Sequence, residues 1–227
     1  MNKTVTAVVT AGLLMAAGQT SANDLGAGFS WSGNLTVTSD YLLRGFSETD
    51  NGPAVQGGFD LEHESGFYLG NWNSNVTYGA DESNLEMDLY GGFAFTAVPG
   101  LDMDVGVIRY FYPGLDDADF NEFYIGGATS FDSLDADLYV YVTDDYLASD
   151  EDGLVADLNL AYSLPGNTYL TGQLGYVDSE LFADGGYMFY GVGAGVSYAD
   201  LDFTVTYMDA DEDGAEDGVA FAVSAEF

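Results

Sequence analysis

The sequence predicts an all-β chain: a transmembrane antiparallel up-and-down β-barrel of about twelve strands. Three observations carry this. Apolar residues recur at every second position over long runs. The connections between runs alternate between short and long. The acidic residues keep to one face of the runs.

Residues 1–22 read as a cleaved secretory leader and 23–227 as the barrel. Lys3 gives a short positive start, Val5 to Ala17 is an apolar run, and Thr20-Ser21-Ala22 ends in a small residue before Asn23. That run is too short for a membrane-spanning helix, and no later apolar stretch reaches the length of about 18 residues that one needs.

Twelve period-two runs follow, with approximate cores at 29–46, 54–64, 67–77, 85–97, 101–112, 120–131, 134–143, 154–164, 168–177, 187–198, 201–208 and 218–227. In the last, "GVAFAVSAEF", Val219, Phe221, Val223, Ala225 and Phe227 share one face, and Gly218, Ala220, Ala222, Ser224 and Glu226 the other. "LDADLYVYV" sets Leu134, Ala136, Leu138, Val140 and Val142 against Asp135, Asp137, Tyr139 and Tyr141. Such alternation marks a strand between two different solvents. Outside the leader no segment keeps a 3.6-residue apolar stripe. The third run, "FYLGNWNSNV", can present either face.

Short connections lie at Glu64-Ser65-Gly66, Val98-Pro99-Gly100, Asp132-Ser133, Pro165-Gly166-Asn167 and Ala199-Asp200; longer polar ones lie at 47–53, 78–84, 113–119, 144–153, 178–186 and 209–217. This sorting puts every tight turn at one end of a barrel and every long loop at the other. Of the 38 acids, 21 fall in the long loops. Another 14 lie within the runs, Asp40, Asp60, Glu86, Asp88, Asp104, Glu122, Asp137 and Asp157 among them, in phase with the small and polar residues. A carboxylate facing lipid is costly, so this phase is the interior.

With the leader removed, 38 acids stand against Arg44 and Arg109 alone. Such a chain repels nucleic acid, whose binding rests on Lys and Arg at phosphates, and its natural small partners are cations. There are no cysteines, so no disulfide framework supports the exported chain. Aromatics at 15% and 30 glycines argue against disorder despite the charge.

The stretch 38–60 then becomes recognisable. Ser39-Asp40-Tyr41, Arg44-Gly45, Ser47, Pro53-Ala54, Gln56-Gly57-Gly58 and Asp60 resemble the TorF-type porin family of proteobacterial outer-membrane proteins. The likeness continues through His63, Ser65-Gly66-Phe67-Tyr68, Gly70, Trp72 and Ser74-Asn75-Val76, and through "YFYPG" at 110–114 and "NEFY" at 121–124. It is dense over roughly residues 30 to 125; beyond these, strand layout and Phe227 agree. The resemblance implies an outer-membrane β-barrel described as a porin.

In the first run Phe29, Trp31, Leu35, Val37, Tyr41 and Leu43 form the apolar phase, so Arg44 shares the interior phase with Asp40; it shapes the field at the mouth, pairs with a carboxylate on a neighbouring strand, or does both. Arg109 falls in the apolar phase of its run. It reaches the headgroup zone, unless a bulge shifts the register after Ile108. His63 is the only histidine and has no recognisable nucleophile beside it, so no enzyme is expected.

"DADEDGAEDG" at 209–218 resembles half of a calcium loop through Asp209, Asp211 and Asp213. Its twelfth position is Ala220, where a bidentate Glu should stand. No cofactor is expected, although Ca²⁺ or Mg²⁺ could bridge acidic loops beside lipopolysaccharide phosphates. Trp31, Trp72, Tyr162 and Tyr198 read as an interface girdle. Tyr110, Tyr112, Tyr124, Tyr139 and Tyr141 face inward, filling the barrel or stacking on a sugar. Phe227, with apolar residues at alternate positions before it, matches the C-terminal signature by which such barrels reach the outer-membrane assembly machinery.

The expected pore-lining set is Asp40, Arg44, Asp60, Glu86, Asp88, Asp104, Tyr110, Glu122, Asp137, Tyr139 and Asp157. Its charge implies a narrow diffusion channel preferring cations. The alternative is a closed structural or interaction barrel presenting acidic loops, and one inward loop would be enough to plug twelve strands.

Overall fold

The computed structural model describes residues 22–78 and 84–227. The leader expected over 1–22 therefore lies, Ala22 apart, outside the described residues. Twelve antiparallel strands form the wall: β1 (Phe29–Thr38), β2 (Ala54–His63), β3 (Phe67–Ser74), β4 (Glu86–Val98), β5 (Leu101–Phe111), β6 (Phe120–Phe131), β7 (Leu134–Thr143), β8 (Gly153–Leu164), β9 (Thr168–Asp178), β10 (Gly186–Tyr198), β11 (Leu201–Ala210) and β12 (Gly218–Glu226). Each pairs with its sequence neighbours, and β12 returns to β1 from Asn34↔Glu226 to Thr38↔Ala222, which closes the barrel. Gly33 and Phe227 then exchange both backbone hydrogen bonds at 2.8 and 2.9 Å. Beyond that point the edge of β1 is taken by a short N-terminal strand, Asn23–Gly26, paired at Trp31, Ser30 and Phe29. Closure leaves no free edge, which a sheet in lipid requires.

The outer face is apolar: Leu35, Val37, Phe59, Leu69, Phe123, Ile125, Leu138, Leu174, Val192 and Phe221 are all exposed. The strand-by-strand alternation of exposed and buried residues is the sequence period made visible. Arg109 is on this face near the long-loop end, bound to Asp119 at 3.4 Å and lying 5.3 Å from the Phe111 ring. No bulge is involved, because the β4–β5 register is regular from Met87↔Phe111 to Thr96↔Asp102.

Two expectations fail. The first run does not continue to residue 46. β1 stops at Thr38, and a separate two-stranded hairpin pairs Leu42 and Leu43 with Ser47 and Phe46. Tyr41 and Leu43, placed by phase on the lipid side, are inside instead; Tyr41 is fully buried. The cause is local: Arg44 (φ 48°) and Gly45 (φ 95°) both take positive φ, as a two-residue type I′ turn demands.

The second failure is Trp72. It shares the inward phase of β3 with Tyr68, Gly70 and Ser74 and meets the Tyr41 ring edge-on at 5.4 Å, so it is not a girdle residue. The outward positions go to asparagines that satisfy their amides on β2 and the chain before it. Asn73 donates to the Gly57 carbonyl at 3.2 Å, and Asn75 accepts from Val55 N–H at 2.7 Å.

Candidate functional site

The candidate site is the barrel interior, and its two sides differ. From β3 to β7 the inward positions carry Tyr68, Trp72, Tyr90, Tyr110, Phe120, Tyr124, Tyr139 and Tyr141, which pack into one cluster. These rings fit because the neighbouring strand often offers a glycine. A Cβ on Gly106 would stand 2.2 Å from the Tyr124 hydroxyl, and one on Gly126 would stand 2.3 Å from the Tyr139 ring.

From β9 round to β12 the inward set is mostly small at mid-barrel, with Thr171, Gly191, Gly193, Thr204, Thr206, Ala220, Ala222 and Ser224, while Val177, Tyr187 and Phe189 extend the aromatic cluster at the long-loop end and Tyr169 lies at the short-turn end. A cavity of about 1120 Å³ lies against this side, from Asn167, Asp200, Asp202, Glu226 and Phe227 at the short-turn end up to Thr38, Asp40, Leu42 and Met208.

That upper boundary is the hairpin. It folds into the bore at the long-loop end and reaches five strands of the wall. Arg44 donates two hydrogen bonds of 2.9 Å to the Glu122 carboxylate on β6. The Arg44 guanidinium also lies 5.3 Å from the Tyr141 ring and 5.9 Å from that of Tyr146. Phe46 meets Tyr187 of β10 edge-on at 5.6 Å. Gly45 donates its N–H to Met208 Sδ of β11 at 3.2 Å. A Cβ on Gly218 of β12 would touch Leu42 at 2.7 Å. The root of the hairpin is fixed by Asp40, which accepts from Ser47 at 2.6 Å and Thr49 at 3.0 Å. Glu48 is half-buried and hydrogen-bonded by Tyr78. Burial pushes its carboxyl up to about 7, with Tyr78 and Arg44 opposing and Asp40 adding.

Arg44 therefore lies in a turn rather than on a strand, and it makes the expected ion pair, with Glu122. Several of the wall's carboxylates are held by neutral donors. Tyr110 binds Glu122 at 2.8 Å, Tyr112 binds Glu86 at 3.1 Å, and Tyr90 binds Asp60. Asp104 accepts from Tyr68 at 2.7 Å and Tyr139 at 3.3 Å. Asn159 holds Asp137 at 3.1 Å, Gln173 holds Asp157 at 3.0 Å, and Tyr169 holds Asp202. Sequence reading gave the tyrosines volume; their second role as donors to acids across the strands was missed. The signal was present as acids and tyrosines alternating within one phase of adjacent runs. Tyr41, Glu48, Tyr68, Tyr90, Tyr146, Gln173 and Asp202 belong to the site for that reason.

Asp209 and Asp211 do not converge on a common point. Asp209 accepts from Tyr190 at 2.6 Å and Tyr207 at 3.2 Å, while Asp211 accepts from Met188 N–H at 2.6 Å. Among the described residues no three acidic or histidine side chains are grouped to hold a metal. His63 is at the short-turn end, 2.7 Å from Ser65 Oγ and against the Phe29 ring at 4.5 Å.

These features define a transmembrane β-barrel of the porin fold. Residues 22–225 match the model of a family described as "Bacterial protein of unknown function (Gcw_chp)", and the chain belongs to that family. No curated protein matches it. Among solved structures it resembles a KdgM porin, at TM-score 0.61 and 10% identity, over 86% of this chain and 98% of that one. A KdgM porin in complex with disordered oligogalacturonate follows at TM-score 0.59 and 9% identity, over 87% and 97%. The NanC porin gives TM-score 0.55 and 8% identity, over 86% and 97%. At such identities the likeness is one of fold.

Proposed function

We propose that the protein is an outer-membrane channel of the TorF-type porin class, passing small solutes by diffusion with a preference for cations. The observation that supports this most is the charge of the interior. Among the described residues its one inward cation, Arg44, is matched by Glu122, and several carboxylates of the wall are held by tyrosines and amides that bring no positive charge. A conducting path would follow the small-residue side, where Asp202 and Glu226 guard the short-turn mouth and the hairpin narrows the other. Carboxylates in a narrow bore raise local cation concentration and exclude anions. An oligogalacturonate, the ligand named for one structural neighbour, is a polyanion that this interior would repel.

In this reading the short turns are periplasmic and the acidic loops external, facing lipopolysaccharide phosphates that calcium or magnesium bridges. The leader is cleaved on export, and the strand ending at Phe227 is presented to the assembly machinery. No catalysis is assigned to the interior.

A second reading is favoured by the hairpin itself: a closed barrel, plugged at rest, whose loops serve as an interaction surface. The two separate in a planar bilayer. Steady cation-selective steps from the refolded barrel under a KCl gradient support the channel. Silence from demonstrably folded protein, and from a variant with residues 42–47 replaced by a short glycine-serine link, rejects it.

A further inference from the structure

Beneath the hairpin, the wall holds more negative charge than its donors can satisfy. Glu86 and Asp88 point inward from β4, at 0% and 2% exposure. Tyr112 binds one oxygen of Glu86, leaving Oε2 without a partner; Oδ1 of Asp88 also has none. The third orphan is the hydroxyl of Tyr41, on a side chain that is 0% exposed.

These three face one another. Ser74 and Trp72 of β3 are the register partners of Glu86 and Asp88, and the Tyr41 ring packs on Trp72. The nearby charges that act on the Tyr41 phenol are those of Glu86, Glu48 and Asp88. Arg44 is bound to Glu122 and Arg109 to Asp119, so among the described residues no arginine or lysine is paired with Glu86 or Asp88. Two uncompensated carboxylates buried side by side are strongly unfavourable unless a counter-charge enters with them.

We propose that Glu86, Asp88 and Tyr41 form a buried site for one divalent, oxygen-seeking cation of the calcium class, which ties the inward hairpin to β4. Two carboxylates and a phenol are hard oxygen ligands, and two negative charges balance one divalent ion. With fewer than three acids in the group, water completes the shell, as calcium readily accepts. The site lies on the tyrosine side of the bore, away from the cavity, so it stands whether or not the barrel conducts. Its consequence is positional: Tyr41 belongs to the hairpin segment, so the ion would hold the plug seated.

The test uses the refolded mature barrel, with terbium as a luminescent calcium substitute excited through the nearby tyrosines and Trp72. We expect saturable sensitised emission that calcium displaces, together with a calcium-dependent rise in the urea midpoint. Glu86→Gln with Asp88→Asn removes both carboxylate charges with little change of shape, and should lower terbium affinity at least about tenfold and abolish the calcium response. Tyr41→Phe should weaken affinity by a smaller factor and leave the barrel folded. Unchanged emission in the double variant would place the ion at the exposed loops and overturn the proposal. So would a wild-type urea midpoint indifferent to calcium, which would mean that protons alone neutralise the pair.

Discussion

The two sides of the bore are built from the same alternating strands but solve different problems. From β3 to β7, tyrosines fill the interior and donate to carboxylates, and glycines on adjacent strands make room for the rings. From β9 to β12, below Val177, Tyr187 and Phe189, hydroxyls, alanines and glycines leave a cavity of about 1120 Å³. One side is a core and the other a wall. A barrel with one filled side needs no wide plug, and a hairpin of six residues reaches across what remains.

The largest expected effect lies where the hairpin crosses from one side to the other. Arg44→Ala leaves Glu122 buried at 1% exposure without its partner and should cost about 3 kcal/mol. Urea unfolding in detergent checks the cost, and conductance should rise as the hairpin loosens. Next comes a matched pair of glycines. Gly126→Ala drives a methyl into the Tyr139 ring and should cost roughly 1–3 kcal/mol. Gly191→Ala, whose nearest neighbour atom is 3.3 Å away on the open side, should cost well under half of that. Equal costs would erase the distinction between core and wall.

Charge gives a third, smaller contrast. Asp202→Asn with Glu226→Gln at the open mouth should cut the cation-to-anion permeability ratio about twofold, read from the reversal potential. Asp104→Asn, locked between Tyr68 and Tyr139, should change it less.

The last contrast is the pH dependence of the hairpin. The Glu48 carboxyl is raised from its ordinary range to about 7, so the folded state holds the proton more tightly than the unfolded chain. The stability this gives is complete below the ordinary carboxylate range, near 4.5, and is lost as pH rises through 7. Urea midpoints should therefore fall between those values, and Glu48→Gln should flatten the trend.

Much of this was legible in the residues. Strands β6 and β7 run over the residues that their period marks, because each buries one face and exposes the other to lipid. The hairpin was not legible by period. Tyr41 and Leu43 continue the alternation of β1 through a bend at Ser39-Asp40, so phase alone extends the strand. The available signal was chemical: Arg44-Gly45 between Leu42-Leu43 and Phe46-Ser47 is a two-residue turn. Trp72 was lost for a related reason. Its run alternates aromatic and small residues with asparagines, and only tertiary contact with Tyr41 fixes which set faces in. Partner choice was likewise beyond the sequence, since pairing Arg44 with Glu122 spans 78 residues.

The rings seated over glycines impose an order on how such a bore can be remodelled. Replacing Tyr139 or Tyr124 by a smaller residue opens space and removes a hydroxyl bonded to Asp104 or Tyr68, whereas adding any side chain at Gly126 or Gly106 collides with a ring still in place. At Gly126, whose near neighbours are all atoms of the Tyr139 ring, widening can therefore begin with the tyrosine, and only afterwards is the glycine free to change; at Gly106 the Gly91 carbonyl would still stand 2.7 Å away. Narrowing must run the other way, glycine first. The interior thus works as a one-way sequence of permitted steps, in which the bulky residue holds its small neighbour hostage until it leaves.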